Sequence, residues 1–134
     1  MSRSGYSEDF CGGGSEWSLI RWRGAVNSAI KGKRGQAFLR EMLTALDAMP
    51  EKRLVDGVLE ESGQVCALGA VGKARGLDMS NLDPHDRETV AGTFGIADAL
   101  GAEIMYENDE AGFWEETPEA RFVRIRAWVV LQIR

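Results

Sequence analysis

Two apolar stripes divided by a glycine-containing basic junction constrain this chain more than any other feature. Leu19, Trp22, Val26, Ala29 and Ile30 recur at helical spacing, with Ser15 as the candidate N-cap and Gly32 as the stop. Lys31-Gly32-Lys33-Arg34-Gly35 follows and reads as a turn with three positive charges. Phe38, Met42, Ala45, Leu46 and Met49 then mark one face of a second helix, widened by Leu39 and Leu43 and ended by Pro50. Two helices joined by so short a turn are expected to pair antiparallel.

Beyond Pro50 the period changes. Glu61-Ser62-Gly63 separates Val58-Leu59 from Gln64-Val65, the pattern of a short hairpin that must lie on the helices to persist. Cys66 to Arg75 reads as a helix rich in small residues. Gly69 and Gly72 within it cost about 1 kcal/mol each, which close backbone approach to a neighbour would offset. Gly76 is its C-cap candidate. Asp83-Pro84 reads as a helix start running through Phe94, Gly95 as a turn, and Ala97 to Glu107 as the next helix. Thr117-Pro118-Glu119 repeats the cap signal and opens a last helix with Phe122, Ile125, Val129 and Ile133 as its seam. The expectation is a mainly α (α+β) fold. Five to six short helices pack as one bundle-like domain over residues 15–134, with a small β-hairpin near residues 54–66. Residues 1–14, with Gly12, Gly13 and Gly14 in a row and no periodicity, read as a disordered tail.

Composition removes several classes. Apolar residues at 44% and charged residues at 28% suit a globular domain of 134 residues. No apolar run approaches the roughly 18–20 residues of a membrane span. The opening residues also lack the apolar stretch of a secretory signal. A soluble intracellular protein without membrane contact is the expectation.

The net charge of −5 conceals a segregation. Trp17 to Arg53 holds eight basic and three acidic residues, whereas Asp78 to Glu119 holds twelve acidic residues against Arg87 alone. Either the basic and acidic helices screen one another, or the surface has two poles that steer a charged partner.

Chemistry-bearing motifs are sparse. Thr89 to Glu107 resembles a helix-turn-helix in its Ala91, Gly95 and flanking apolar residues, and departs from it at Gly101. The positions offered to a groove would be Ala97, Asp98, Ala99, Ala102 and Glu103, whose acids repel phosphate. Ala67 to Gly72 is a degenerate glycine-rich loop that lacks its first glycine. Cys11, Cys66 and the single His85 form no zinc pattern, and Cys66 reads as a buried small hydrophobe. No catalytic, cofactor-binding or metal-binding set is assigned. Glu103, Glu107, Asp109 and Glu110 form an acidic run that is either a solvated face or part of a partner surface. Phe113 and Trp114, set in the acidic loop Asn108 to Glu116, either tuck back as the loop closes onto the last helix or anchor a partner. Lys31, Lys33 and Arg34 offer a basic turn as a second route, beside the helix-turn-helix-like unit, by which nucleic acid would be engaged.

Three stretches carry a resemblance: Gly32 to Glu41 (GKRGQAFLRE), Gln64 to Gly72 (QVCALGAVG) and Ile104 to Glu110 (IMYENDE). They resemble segments of small proteins encoded by temperate phages and prophages of proteobacteria, over about Trp17 to Ile133. The resemblance implies a cytoplasmic protein of an infected or lysogenic bacterium. By association it suggests a non-enzymatic protein that binds a host or phage protein, with an anti-defence role such as inhibition of a defence nuclease. The alternative is a helix-turn-helix-like regulator that binds nucleic acid.

Overall fold

Gly32 is the whole of the link between the first two helices, α1 (Glu16–Lys31) and α2 (Lys33–Ala48). Its N–H donates to the Ser28 carbonyl at 3.0 Å and its own carbonyl accepts from Gln36 N–H at 2.9 Å, so one extended residue ends one helix and starts the next. The side chain of Gln36 secures this elbow. Its amide donates to the Ile30 carbonyl at 2.8 Å and to the Gln132 carbonyl at 2.9 Å. Gly35 is required here, because a Cβ would lie 1.8 Å from the Ala29 carbonyl oxygen. The turn expected over residues 31–35 is therefore one residue long, and Lys33 and Arg34 occupy the first turn of α2.

The computed structural model describes residues 2–6 and 16–134; Ser15 and Cys11 lie outside them. Among the described residues the chain forms six helices and one two-stranded hairpin, the mainly helical bundle-like domain that apolar periodicity predicts. In the hairpin, β1 (Glu60–Glu61) pairs antiparallel with β2 (Gln64–Val65). Ser62 and Gly63 have φ of 54° and 81°, the double positive φ that a two-residue turn matched to strand twist requires.

The next helix, α3 (Ala67–Ala74), is capped by Cys66, whose Sγ accepts from Gly69 N–H at 3.4 Å. The close approach inferred from its glycines is present. A Cβ on Gly69 would fall 1.9 Å from the Leu59 carbonyl oxygen, and one on Gly72 would fall 2.4 Å from the Met79 sulfur. The hairpin is thus pressed onto α3, and α3 packs in turn on α2 and on α5 (Asp98–Asp109).

Helix α4 (Arg87–Phe94) starts three residues later than Asp83-Pro84 suggests. Asp83 instead accepts from His85 N–H at 2.9 Å in a local turn, and Asp86 is the cap, accepting from Thr89 N–H at 3.3 Å. Gly95, at φ 74°, closes α4 with the paired bonds of a Schellman ending. Gly101, the departure from the helix-turn-helix pattern, is where α4 crosses α5: a Cβ there would lie 3.3 Å from that of Ala91.

Helix α5 is the central element. It touches α1, α3, α4 and α6 (Pro118–Gln132), and it buries Leu100, Ala102, Glu103, Ile104, Met105 and Asn108. Thr117 caps α6 by accepting from Ala120 N–H at 3.1 Å, with Pro118 at the first helical position as its sequence implies. Phe122, Ile125 and Val129 then close the core against α2.

The amino-terminal residues depart most from the expectation of a tail. Residues 2–6 lie against the domain, with Arg3 2% and Ser4 1% exposed. Residues 7–15 lie outside the described residues.

Candidate functional site

Most of the acidic run faces inward. Glu103 is 4% exposed and accepts from Arg23 Nη1 at 2.8 Å and from the Tyr6 hydroxyl at 2.7 Å. Burial and that bond push the Tyr6 hydroxyl well above the usual phenol range. Asp109 receives Arg3 through Nε at 2.5 Å and Nη2 at 2.8 Å, and also accepts from Gly57 N–H at 3.1 Å. Burial opposes the Arg3 charge, but the Cys66 sulfur, 3.6 Å from Nη1, and Asp109 outweigh it and hold the guanidinium above its ordinary value.

Asn108, beside them, donates to the Val55 carbonyl at 2.9 Å and accepts from Ala67 N–H at 3.0 Å, which ties α5 to α3. Glu110 is exposed and accepts from the hydroxyls of Ser2 and Ser4. Glu107 is half-buried 3.8 Å from Arg124, and its carboxyl is pushed up by burial and by the charge of Glu103. Glu103, Glu107 and Asp109 are therefore screened by arginines of the same chain. Glu103 and Asp109 serve the interior rather than a partner.

Phe113 and Trp114 do the opposite. They are 86% and 92% exposed, so the loop does not tuck them onto α6. The backbone beneath them is nonetheless held. Glu116 N–H donates to the Phe113 carbonyl at 3.0 Å. The Glu116 carboxylate accepts from Arg124 Nε at 2.6 Å and Nη2 at 2.9 Å, with Arg121 at 3.5 Å. Those contacts hold the Glu116 carboxyl below its usual range. Arg124 also donates to the Glu107 carbonyl at 2.6 Å, and the buried Arg121 donates to the Leu54 carbonyl at 2.9 Å. Two arginines of α6 thus brace a loop that projects two large aromatic rings into solvent. An exposed Trp beside an exposed Phe leaves roughly 300–400 Å² of side-chain surface wet, and a braced loop has little entropy left to lose on binding.

Lys31, Lys33 and Arg34 are all exposed at the α1–α2 elbow, and none is in an ion pair among the described residues. Lys33 and Arg34 stand at the positive end of α2, where no acidic residue offsets them. Such placement costs a few tenths of a kcal/mol per charge. Cys66 is buried and engaged by Arg3 and Gly69, while His85 is exposed. Among the described residues no three His, Cys, Asp or Glu side chains come together as a metal site, and no helix is long and apolar enough to cross a membrane.

A cleft of about 400 Å³ between the end of α2, the hairpin turn and α3 had no counterpart in the sequence reading. Ala45, Met49, Pro50, Val65, Ala70 and Lys73 line it, and Lys73 turns its ammonium to the Gly63 carbonyl at 3.0 Å. Its lining includes neither the aromatic loop nor the basic elbow. The bracing arginines were also missed, because Arg121 and Arg124 are recognisable as supports only once α6 is seen beside Glu116. Compared with family models, curated proteins and solved structures, the chain matches none.

Proposed function

We propose that this chain is a non-enzymatic binding protein, carried by a temperate phage or prophage and acting in the bacterial cytoplasm. It modulates a host or phage protein by covering part of that protein's surface. The observation that carries this reading is the pair Phe113 and Trp114, almost fully exposed on a loop braced by Glu116, Arg124 and Arg121. Large aromatics on a preorganised support are the usual centre of a protein interface. Glu110, Glu115 and Glu119 are exposed around that loop in sequence and favour a partner surface with basic residues at its rim. A defence nuclease is the target class suggested by the resemblance to phage proteins.

Imitation of phosphate by the whole acidic segment is the weaker version, since Glu103, Glu107, Asp109 and Glu116 already face arginines of the chain. Affinity capture of the tagged protein from infected cells tests the proposal. A partner retained by the wild type and lost from Phe113→Ala/Trp114→Ala supports it, and an unchanged set of partners contradicts it.

A second reading has one specific observation in its favour. The exposed cations Lys33 and Arg34 are placed against the dipole of α2, with Lys31 beside them at the end of α1, as a site for an anionic backbone would be. It would not use α5 as a recognition helix, because Ala99, Ala102 and Glu103 are buried. A gel shift with random duplex DNA at low salt decides it, and loss of the shift in Lys33→Glu/Arg34→Glu is required.

A further inference from the structure

Residues 2–6 meet the domain as a peptide meets a receptor. Gly5 N–H closes a turn on the Ser2 carbonyl at 3.2 Å, with Gly5 at φ 75°, and Arg3 and Tyr6 leave that turn for separate places in the domain. The Arg3 guanidinium spreads over the Asp109 carboxylate through Nε and Nη2, with the Cys66 sulfur 3.6 Å from Nη1. Asp109 is the last residue of α5, at the negative end of the helix, where a cation is favoured. The Tyr6 ring centre lies 5.9 Å from that of Trp22, edge-on, and 5.0 Å from that of Tyr106, while its hydroxyl donates to Glu103. Between the two side chains, the Ser4 carbonyl accepts from Arg87 Nη1 at 2.6 Å. Helices α1, α4 and α5 and the cap of α3 thus supply a groove with a carboxylate slot at one end, an aromatic slot at the other and a main-chain contact between them.

These contacts select a sequence. A buried ion pair adds little stability over apolar side chains of similar size, so holding a terminus in place does not call for one. A carboxylate that takes a guanidinium through two bonds, by contrast, distinguishes arginine from other side chains, lysine included. Arg87 addresses a carbonyl that any peptide offers. Pockets for particular side chains on either side of a main-chain contact are the means by which extended peptides are recognised. The nine residues from 7 to 15 join the segment to α1 and span at most about 30 Å when extended. A tether of that length holds the segment at the groove with an effective concentration on the order of millimolar.

We infer that this groove is a recognition site for an extended peptide carrying an arginine and, three residues on, a tyrosine. Residues 2–6 are its resident occupant, exchangeable for a segment of the same chemistry from a partner protein. With residues 2–6 in place Glu103 and Asp109 belong to the interior; they face a partner only when the partner's segment takes that place. Phe113 and Trp114, almost fully exposed, do not line the groove, so the inference does not rest on the proposed function.

A synthetic peptide of residues 1–7, labelled with fluorescein at its carboxyl end and titrated with the full chain, tests this by fluorescence anisotropy. The Arg3→Ala protein, whose carboxylate slot is empty, should bind the peptide with a Kd below about 100 µM, and the wild type at least about tenfold more weakly, because its own segment competes. Tyr6→Ala vacates the other slot and should give the same ordering. With Arg3→Lys in the peptide, binding to the Arg3→Ala protein should fall about tenfold, since an ammonium cannot make the paired bonds. With Arg3→Ala or Tyr6→Ala in the peptide it should be lost. Adding Asp109→Asn to the Arg3→Ala protein should also abolish binding, with far-UV circular dichroism showing that the helices persist.

Absence of binding to both the Arg3→Ala and Tyr6→Ala proteins at about 500 µM overturns the inference. Equal binding to the wild type and Arg3→Ala, or binding indifferent to the arginine of the peptide, overturns it as well. Partner capture with Phe113→Ala/Trp114→Ala reads the aromatic loop separately, so the two readings fail independently.

Discussion

Replacing Arg3 by alanine removes the cation that ties the amino-terminal segment to the end of α5. The Arg3 side chain is 1% exposed and that of Asp109 12%, and the two meet through Nε at 2.5 Å and Nη2 at 2.8 Å. Breaking a buried pair from one side costs about 3–5 kcal/mol, because the remaining charge stays out of water. Here Asp109 keeps two donors, Gly57 N–H at 3.1 Å and Asn108 Nδ2 at 2.9 Å, which offset part of that. A loss of about 2–4 kcal/mol follows, or a fall in Tm of roughly 6–14 °C for a domain of this size. Urea unfolding followed by tryptophan fluorescence measures it, and an unchanged slope shows that the denatured state is not altered. A cycle with Asp109→Ala should return a coupling above about 1 kcal/mol. If Arg3→Ala stays within about 0.5 kcal/mol of the wild type with negligible coupling, residues 2–6 do not strap the domain and this reasoning is refuted.

Four further outcomes follow from other parts of the structure. Gly69→Ala should destabilise by about 3 kcal/mol or more, since its Cβ would meet the Leu59 carbonyl oxygen at 1.9 Å. Gly92→Ala, in α4 with nothing within 4 Å of the new Cβ, should stabilise by about 0.5–1 kcal/mol in the same urea titration. Glu107→Gln should raise the urea midpoint at pH 7, because burial raises the folded-state pKa of Glu107 and its ionised form costs stability. That gain should shrink as the pH falls through the folded pKa and the native carboxyl takes up its proton; an equal effect at pH 7 and pH 4 would contradict the stated cause. Phe113→Ala/Trp114→Ala should leave the Tm nearly unchanged, as neither ring is packed.

The parts of the fold legible in the sequence are those set by local chemistry. Thr117-Pro118 starts α6, Gly95 ends α4, Ser62-Gly63 turns the hairpin, and the spacing from Phe38 to Leu46 identifies the buried face of α2. Gly69 and Gly72 even announced their close neighbours. Asp83-Pro84 misled because an Asx turn and a helix cap share their residues, and only the bond from Thr89 N–H to Asp86 separates the two.

Long-range pairings left no local trace. Arg3 stands in a stretch of serine, glycine and charge that reads as tail, and its partner Asp109 is 106 residues away. Glu103 sits in an acidic run that reads as solvated, yet Arg23 and Tyr6 satisfy it inside. For Phe113 and Trp114 the sequence showed the unusual setting but not the direction. That depended on Glu116 turning back to Arg124, a bracing that no periodicity encodes.

The account rests on the aromatic loop being a ready-made anchor for another protein. Quantitative capture from infected cells, wild type against Trp114→Ala, tests that directly. The account predicts that one co-purifying protein falls by about thirtyfold or more, the loss of a hot-spot contact of about 2 kcal/mol, while the variant's Tm is unchanged. Recovery of the same proteins in the same amounts by both forms would contradict it.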